Sequence, residues 1–289
     1  MVGYRHLISA IESPSILNST GNPHIIPVNQ EGVIDFSELE RVLSKLVGDR
    51  VMVSAMMANN ETGVIQPVKE EVEIAHKFGA ICHTDVAQSV GKTEFGGFRG
   101  RFAHKFGGIA GSGVLVFDKK IVIEPIVIGG GQEKELRGGT ENIVAIASLS
   151  AALQDIPCLL SKMDEIKKLR DQLEYELLNL ASGIKIFDKN SKRLPNTSLI
   201  YMPKVRSDLQ PMHFGLNNIA FSNGSVCSSG KVETSHVLLA MWATKEQTEC
   251  SIRISIGQKT KSRDIEKIVD CWYDIYKMYW PSECDKQRH

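Results

Sequence analysis

The sequence has no run of about 18 consecutive apolar residues, so no membrane-spanning helix is predicted. It has no excess of either charge, with 34 Lys plus Arg against 34 Asp plus Glu. That balance leaves no electrostatic footprint for nucleic acid or an anionic membrane. The six cysteines, Cys82, Cys158, Cys227, Cys250, Cys271 and Cys284, fall without a Cys-x-x-Cys pair or any Cys/His metal spacing. No metal site is predicted, and the thiols are expected to be reduced rather than paired in a disulfide framework. The opening residues, Met1-Val2-Gly3-Tyr4-Arg5-His6, lack the apolar core of a signal peptide, so a soluble cytoplasmic protein is expected. Internal repeats and low-complexity stretches are also absent.

What is present is ordinary globular composition over 289 residues, 42% hydrophobic and 24% charged. That length suits one large domain or two. Strand candidates at 7–11, 24–28, 50–58, 81–85 and 113–117 alternate with helix candidates at 34–46 and 68–78. The first helix carries Asp35 or Ser37 as its cap. The stretch 50–58 is continuously apolar, as in strands buried on both faces of a parallel sheet. Further on, helices at 143–153 and 163–180 precede short strands at 184–187, 197–201, 219–221 and 251–256, with helices near 232–242 and 262–279. This order predicts an α/β fold with a largely parallel sheet in a larger domain, residues 1–154, and a smaller α/β domain, residues 155–289.

Several residues sit where chemistry is done. Asp85 ends a predicted buried strand and Lys105 lies among glycines. A carboxylate and an amine so placed suit pyridoxal phosphate, whose ring nitrogen needs an acid partner and whose aldehyde needs a lysine for a Schiff base. A solvated pair is the alternative. Asn59-Asn60-Glu61-Thr62-Gly63 follows a buried strand, where open α/β sheets bind ligands. Gly129-Gly130-Gly131-Gln132-Glu133 is either a phosphate cradle or a surface turn; no Gly-Lys-Ser or Gly-Lys-Thr follows it, which excludes a Walker loop there. Arg137 and Thr140 are phosphate contacts, or Thr140 is merely the cap of the next helix. Cys227, in Ser225-Val226-Cys227-Ser228-Ser229-Gly230 ahead of a helix, is a nucleophile candidate. Cys82, inside a strand, is assigned to the core. Arg253 alternates with apolar residues as a carboxylate clamp or a plain solvent-facing arginine.

Seven runs occur in order: Met57 to Gly63, His83-Thr84-Asp85-Val86-Ala87-Gln88-Ser89-Val90-Gly91-Lys92, Ala103-His104-Lys105-Phe106-Gly107, Gly129 to Glu133, Arg137-Gly138-Gly139-Thr140-Glu141-Asn142, Ser225 to Gly230, and Ser251-Ile252-Arg253. Together they resemble the cysteine desulfurases of the class V aminotransferase group, relatives of selenocysteine lyase, over nearly the whole chain. The resemblance implies the fold type I architecture of pyridoxal-phosphate transferases. It implies Lys105 as the cofactor lysine, Asp85 on the pyridine nitrogen, Gln88 on the phenolic oxygen and His104 on the phosphate. Thr140 would reach the phosphate of the partner subunit in a homodimer, and Asn60 with Arg253 would hold the substrate carboxylate. Cys227 would take the sulfur of L-cysteine as a persulfide, release alanine and pass sulfur to an iron–sulfur scaffold or another acceptor.

The chain departs from that pattern in three places. It starts after the Gly/Thr-rich loop that cradles phosphate in the family. Ser13, in Ile11-Glu12-Ser13-Pro14, stands where the family has a ring-stacking histidine. Only twelve residues separate Lys92 from Lys105, and Phe102 replaces a phosphate-binding serine. Gly96 to Arg101 has the pattern of neither a helix nor a buried strand. These departures imply weakened or absent activity. The alternatives are selenocysteine lyase activity and a noncatalytic remnant that serves dimerisation or scaffold binding.

Overall fold

The computed structural model describes residues 3–93, the backbone of 101–102, residues 108–219 and residues 234–279. In chain order the elements are β1 (Arg5–Ser9), α1 (Pro14–Leu17), β2 (His24–Ile26), α2 (Phe36–Lys45), β3 (Val51–Ser54), α3 (Val68–Lys77), β4 (Ile81–His83), β5 (Arg101–Phe102) and β6 (Gly113–Val114). There follow α4 (Ile143–Gln154), α5 (Ile156–Ser161), α6 (Met163–Leu180), β7 (Lys185–Ile186), β8 (Thr197–Tyr201), α7 (Gln210–Leu216), α8 (His236–Ala240), α9 (Lys245–Glu249), β9 (Ser251–Ser255) and α10 (Ser262–Tyr279).

The first sheet has the order β2-β1-β3-β4 and is parallel throughout, with Leu7 opposite Val53 and Val53 opposite Cys82. Successive side chains alternate between faces. Leu7, Val51 and Val53 therefore share one face, where they pack against Leu39, Val42 and Leu43 of α2 and Ala75 of α3. The Asp35 side chain caps α2 by accepting from Glu38 N at 3.0 Å, which settles the cap in favour of Asp35 over Ser37. Among the described residues no helix is long and apolar enough to cross a membrane, and no group of His, Cys, Asp or Glu could hold a metal ion.

A second sheet, β7-β8-β9, is antiparallel and is covered by α6 and α10. Leu173 and Leu177 of α6 meet Trp272, Ile275 and Tyr276 of α10 in its core. The two sheets are tied together at 192–194: Leu194 N donates to Gly63 O at 2.8 Å, and Ile65 N to Lys192 O at 2.8 Å.

Five expectations need correction or fall partly outside the described residues. The apolar stretch 50–58 yields only Val51–Ser54 as strand. Beyond it the ladder thins to Ala55 N on His83 O and Met57 N on Asp85 O, because the chain turns out of the sheet into a side-chain-bonded loop. The segment expected as a strand at 113–117 does not extend the parallel sheet. Gly113–Val114 pairs antiparallel with Arg101–Phe102 in a separate ribbon, so Arg101 does join a short strand. The cap of α4 is Asn142, whose side chain accepts from Ala145 N at 3.1 Å, and not Thr140. Of the strand expected at 219–221, all but Ile219 lies outside the described residues, as do residues 232 and 233 of the helix expected near 232–242.

Candidate functional site

The site is built on the turn that follows β3. Asn59 is wholly buried and organises it: its Nδ2 donates to Ile11 O at 3.0 Å, and its Oδ1 accepts from Glu61 N at 2.9 Å and Thr62 N at 3.0 Å. Such side-chain-to-backbone bonds let asparagine replace a backbone ladder in a tight turn. Gly63 closes the turn at a φ of +77°, a conformation L side chains rarely adopt, and a Cβ there would lie 3.0 Å from Thr197 Cβ. The turn therefore presents Asn60 at a fixed height above the sheet. Arg253, on β9 of the other sheet, is half-buried and donates through Nη1 to Asn60 O at 2.7 Å. The solvent-facing alternative for Arg253 is thereby excluded.

Asp85 lies just past the end of β4, half-buried, and its own carbonyl accepts from Met57 N at 2.8 Å. Its Oδ1 accepts from Ala87 N at 2.8 Å, while Oδ2 makes no hydrogen bond among the described residues. Gln88 follows in the same turn and its Oε1 accepts from Lys92 Nζ at 3.3 Å. A carboxylate with a free oxygen and a carboxamide one turn further, at the carboxyl ends of parallel strands, is a donor set that fits the protonated nitrogen and the phenolic oxygen of a pyridoxal ring.

Behind Asp85 lie groups that sequence reasoning missed. Glu12 is fully buried, and its Oε2 accepts from Ser13 N at 3.0 Å. Burial, with a smaller contribution from Asp85, pushes its carboxyl up to about 8. Glu71, on α3, is also fully buried, and burial followed by the charge of Glu12 pushes it up to about 8. Cys82 sits near Glu71; burial and then that carboxylate push the thiol up to about 12, which makes it an inert core group. Burial likewise lowers His83, against the pull of Asp85. Glu61 accepts from Ser235 Oγ at 2.5 Å, and His236 Nε2 donates to Glu12 O at 2.9 Å, so α8 is docked onto the site. No motif marks these acids, since only the folded chain reveals that they are buried together.

Of the residues singled out in the sequence, the structure joins Arg253 to Asn60 and sets Asp85 and Gln88 in the turn after β4, which is tied to the start of the Asn60 turn by Met57 N on Asp85 O. Thr140 is exposed between Gly139 and the cap of α4, and no hydrogen bond links it to Asp85 or Gln88 among the described residues. Lys105, His104 and Cys227 lie outside the described residues, and the side chain of Phe102 is likewise not described. The run 129–131 is exposed. Its first glycine is required by a close approach, because a Cβ on Gly129 would lie 2.6 Å from Gly138 Cα, where Gly138 N donates to Val127 O at 2.7 Å.

Comparison with known proteins places this geometry in a lineage. Residues 16–268 match the aminotransferase class-V family. A cysteine desulfurase of Klebsiella pneumoniae is 34% identical over 252 residues, which is 85% of this chain and 63% of that protein. A protein of Dictyoglomus turgidum named cysteine desulfurase IscS is also 34% identical, over 85% of this chain and 63% of its own. A crystallised NifS-like protein of Rickettsia africae superposes with a TM-score of 0.85 at 35% identity, covering 95% of this chain and 76% of that one. The chain thus spans a little under two thirds of the length of the first two relatives. This chain belongs to the aminotransferase class V family and has its α/β fold.

Proposed function

We propose that this member of the class V aminotransferases is a pyridoxal-phosphate-dependent cysteine desulfurase, which takes the sulfur of L-cysteine, releases L-alanine and hands the sulfur to an acceptor such as an iron–sulfur scaffold. The observation that supports this reading is the Arg253–Asn60 bond between the two sheets, beside a turn after β4 that carries Asp85 and Gln88 and is tied through Asp85 O to Met57 N at the start of the Asn60 turn. Asp85 Oδ2 would hold the ring nitrogen and Gln88 the phenolic oxygen. Lys105 and His104 are assigned by motif to the cofactor aldehyde and phosphate. When bound, the cofactor supplies an electron-withdrawing ring that acidifies the substrate carbon next to its amino group.

The chain's own residues supply the rest. Arg253 presents a guanidinium that is already oriented by Asn60 O, so a substrate carboxylate meets a pre-aimed cation. Asn60 adds its side-chain amide. Cys227 is assigned by motif as the thiol that attacks the substrate sulfur and keeps it as a persulfide. A homodimer is part of the proposal, with Thr140 reaching the partner's phosphate. Its support is the exposed apolar surface around Thr140, where Val122, Ile126, Ile128, Ile143 and Val144 are each 69% or more exposed. A division into domains 1–154 and 155–289 and a cytoplasmic location complete the reading.

The test is an absorbance spectrum of the protein after incubation with pyridoxal phosphate and desalting, beside Lys105→Ala. A retained visible band that is lost in the variant and shifts with L-cysteine supports the reading, and sulfide release with and without Cys227→Ala then assigns the thiol. A protein that retains no band is a noncatalytic relative. Equal or better turnover of L-selenocysteine would move the substrate assignment to selenocysteine lyase.

A further inference from the structure

The peptide that joins Asn60 to Glu61 is held at both of its polar atoms. Its N–H, on Glu61, donates to Asn59 Oδ1 at 2.9 Å, and its carbonyl oxygen, on Asn60, accepts from Arg253 Nη1 at 2.7 Å. A further hold acts through the side chain that leaves this peptide: buried Glu61 accepts through Oε2 from Ser235 Oγ at 2.5 Å. Ser235 is the N-cap of α8, and its Oγ also accepts from Leu238 N at 3.1 Å. A hydroxyl has a single hydrogen, and Leu238 N points its own at the oxygen, so the Ser235 hydrogen goes to Glu61.

The element on the far side of this bond is itself fixed. His236 Nε2 donates to Glu12 O at 2.9 Å, in the loop after β1. Val237 and Met241 pack on Ile11 and Val28, beyond the ends of β1 and β2, while Leu238 packs on Phe187 and on Leu199 of β8. The residues of α8 thus grip the loops of the parallel sheet and the body of the antiparallel one. Asn59 belongs to the turn, whereas Arg253 and Ser235 reach the 60–61 peptide from outside it. A hydrogen bond to a carbonyl is directional, so a rotation of that peptide plane would re-aim the guanidinium that it holds.

We propose that Glu61 is a positioning residue for the substrate-carboxylate clamp: bonded to the cap of α8, it fixes the plane of the 60–61 peptide and, through the carbonyl of that peptide, the direction of Arg253. The inference rests on the assignment of Asn60 and Arg253 to the substrate carboxylate, and it gives a role to a buried acid that the assignment leaves without one. Glu61 acts through Arg253 and not on the substrate. What the role requires is an acceptor atom at the end of a side chain of this length. Glutamine supplies one, and methionine fills similar space without it.

The first test is amide hydrogen exchange in the protein without cofactor. Thr62 N, which donates to Asn59 Oδ1 at 3.0 Å, reports on the turn, and the amides of Val53 and Leu199, in the inner strands of the two sheets, report on the fold. Glu61→Met and, from the other partner, Ser235→Ala are expected to speed exchange at Thr62 about tenfold or more while Val53 and Leu199 keep their rates, and Glu61→Gln to stay within about threefold of the wild type. Ser235→Ala also removes the cap of α8, so Glu61→Met is the cleaner variant; should it not fold, Ser235→Ala carries the comparison. An unchanged Thr62 amide overturns the proposal, and so does a loss of protection that Val53 and Leu199 share.

The second test is steady-state kinetics with L-cysteine. Glu61→Met is expected to raise KM about tenfold with kcat within about threefold, because a misaimed clamp loses binding rather than chemistry, and Glu61→Gln to restore KM. A fall in kcat at unchanged KM, an unchanged KM, or a glutamine variant as impaired as the methionine one overturns the proposal. A wild type without activity refutes the functional reading instead, and the exchange comparison then decides by itself whether Glu61 holds the turn.

Discussion

Arg253 Nη1 donates to the carbonyl oxygen of Asn60 at 2.7 Å, joining residues 193 positions apart and stitching the antiparallel sheet to the turn above the parallel one. The bond uses one in-plane N–H of the guanidinium and holds the side chain at the turn that carries Asn60.

Arg253→Lys is expected to raise KM for L-cysteine about tenfold or more with a smaller change in kcat, since an ammonium cannot hold Asn60 O and a carboxylate together. A charged hydrogen bond contributes roughly 1.5–3 kcal/mol, which sets that scale. Steady-state kinetics check it, and an unchanged KM removes Arg253 from the substrate site.

Gly63→Ala is expected to destabilise the fold by roughly 1–3 kcal/mol, because a φ of +77° is strained for alanine and its Cβ meets Thr197 at 3.0 Å. The same change should loosen Arg253, since Gly63 O accepts from Leu194 N at the junction of the sheets. Urea unfolding gives the first value; a variant as stable as the wild type shows that the turn tolerates a side chain.

Glu174→Ala should cost about 3–5 kcal/mol, the scale of breaking one side of a buried ion pair. Glu174 accepts from Arg193 Nη1 at 2.9 Å, Arg193 Nη2 at 3.1 Å and Ser198 Oγ at 2.7 Å, and Arg170 is also buried beside it. Its removal leaves the buried Arg193 guanidinium without its bonded carboxylate, while Arg170 keeps Asp171 at 2.6 Å. A loss under 1 kcal/mol in denaturant unfolding would mean that water or a rearranged Asp171 replaces it.

Glu71→Gln should flatten the dependence of stability on pH. The folded carboxyl lies at about 8 against an ordinary value of 4.5, so the folded chain holds a proton that the unfolded chain has already lost. Its contribution is fully present below about pH 4.5 and is lost as pH rises through 8, at a rate of up to about 1.4 kcal/mol per pH unit. Glutamine stays neutral and removes that slope, and Glu12 retains its own share. Unfolding midpoints at pH 5, 6.5 and 8 measure it; parallel slopes in wild type and variant would show that Glu71 is not held neutral.

Much of the architecture was legible in the residues. The helix over 163–180 and the strand over 197–201 appear with the expected bounds, because leucines at helical spacing and a short Thr-Ser-Leu-Ile-Tyr run are local signals. Asp85 and Gln88 were singled out because their motif is contiguous. The strand at 50–58 was overextended because apolar residues continue beyond Ser54, and their burial comes from the packed turn rather than from a ladder. The 113–117 segment was misassigned to the parallel sheet because a short apolar run carries no information about its partner.

The sequence by itself determined the order of elements, the α/β class, the motif residues and the absence of any metal-binding spacing, since each of these depends on residues near one another in the chain. Only the tertiary structure decided that Arg253 faces Asn60, that α8 docks on Glu12 and Glu61, and that Glu12 and Glu71 are shut away from solvent. The physical reason is that burial and like-charge repulsion belong to a position in space. An isolated Glu12 or Glu71 in the chain is an ordinary surface acid, and it becomes a held proton only when the packing of β1, α3 and β4 removes water from around it.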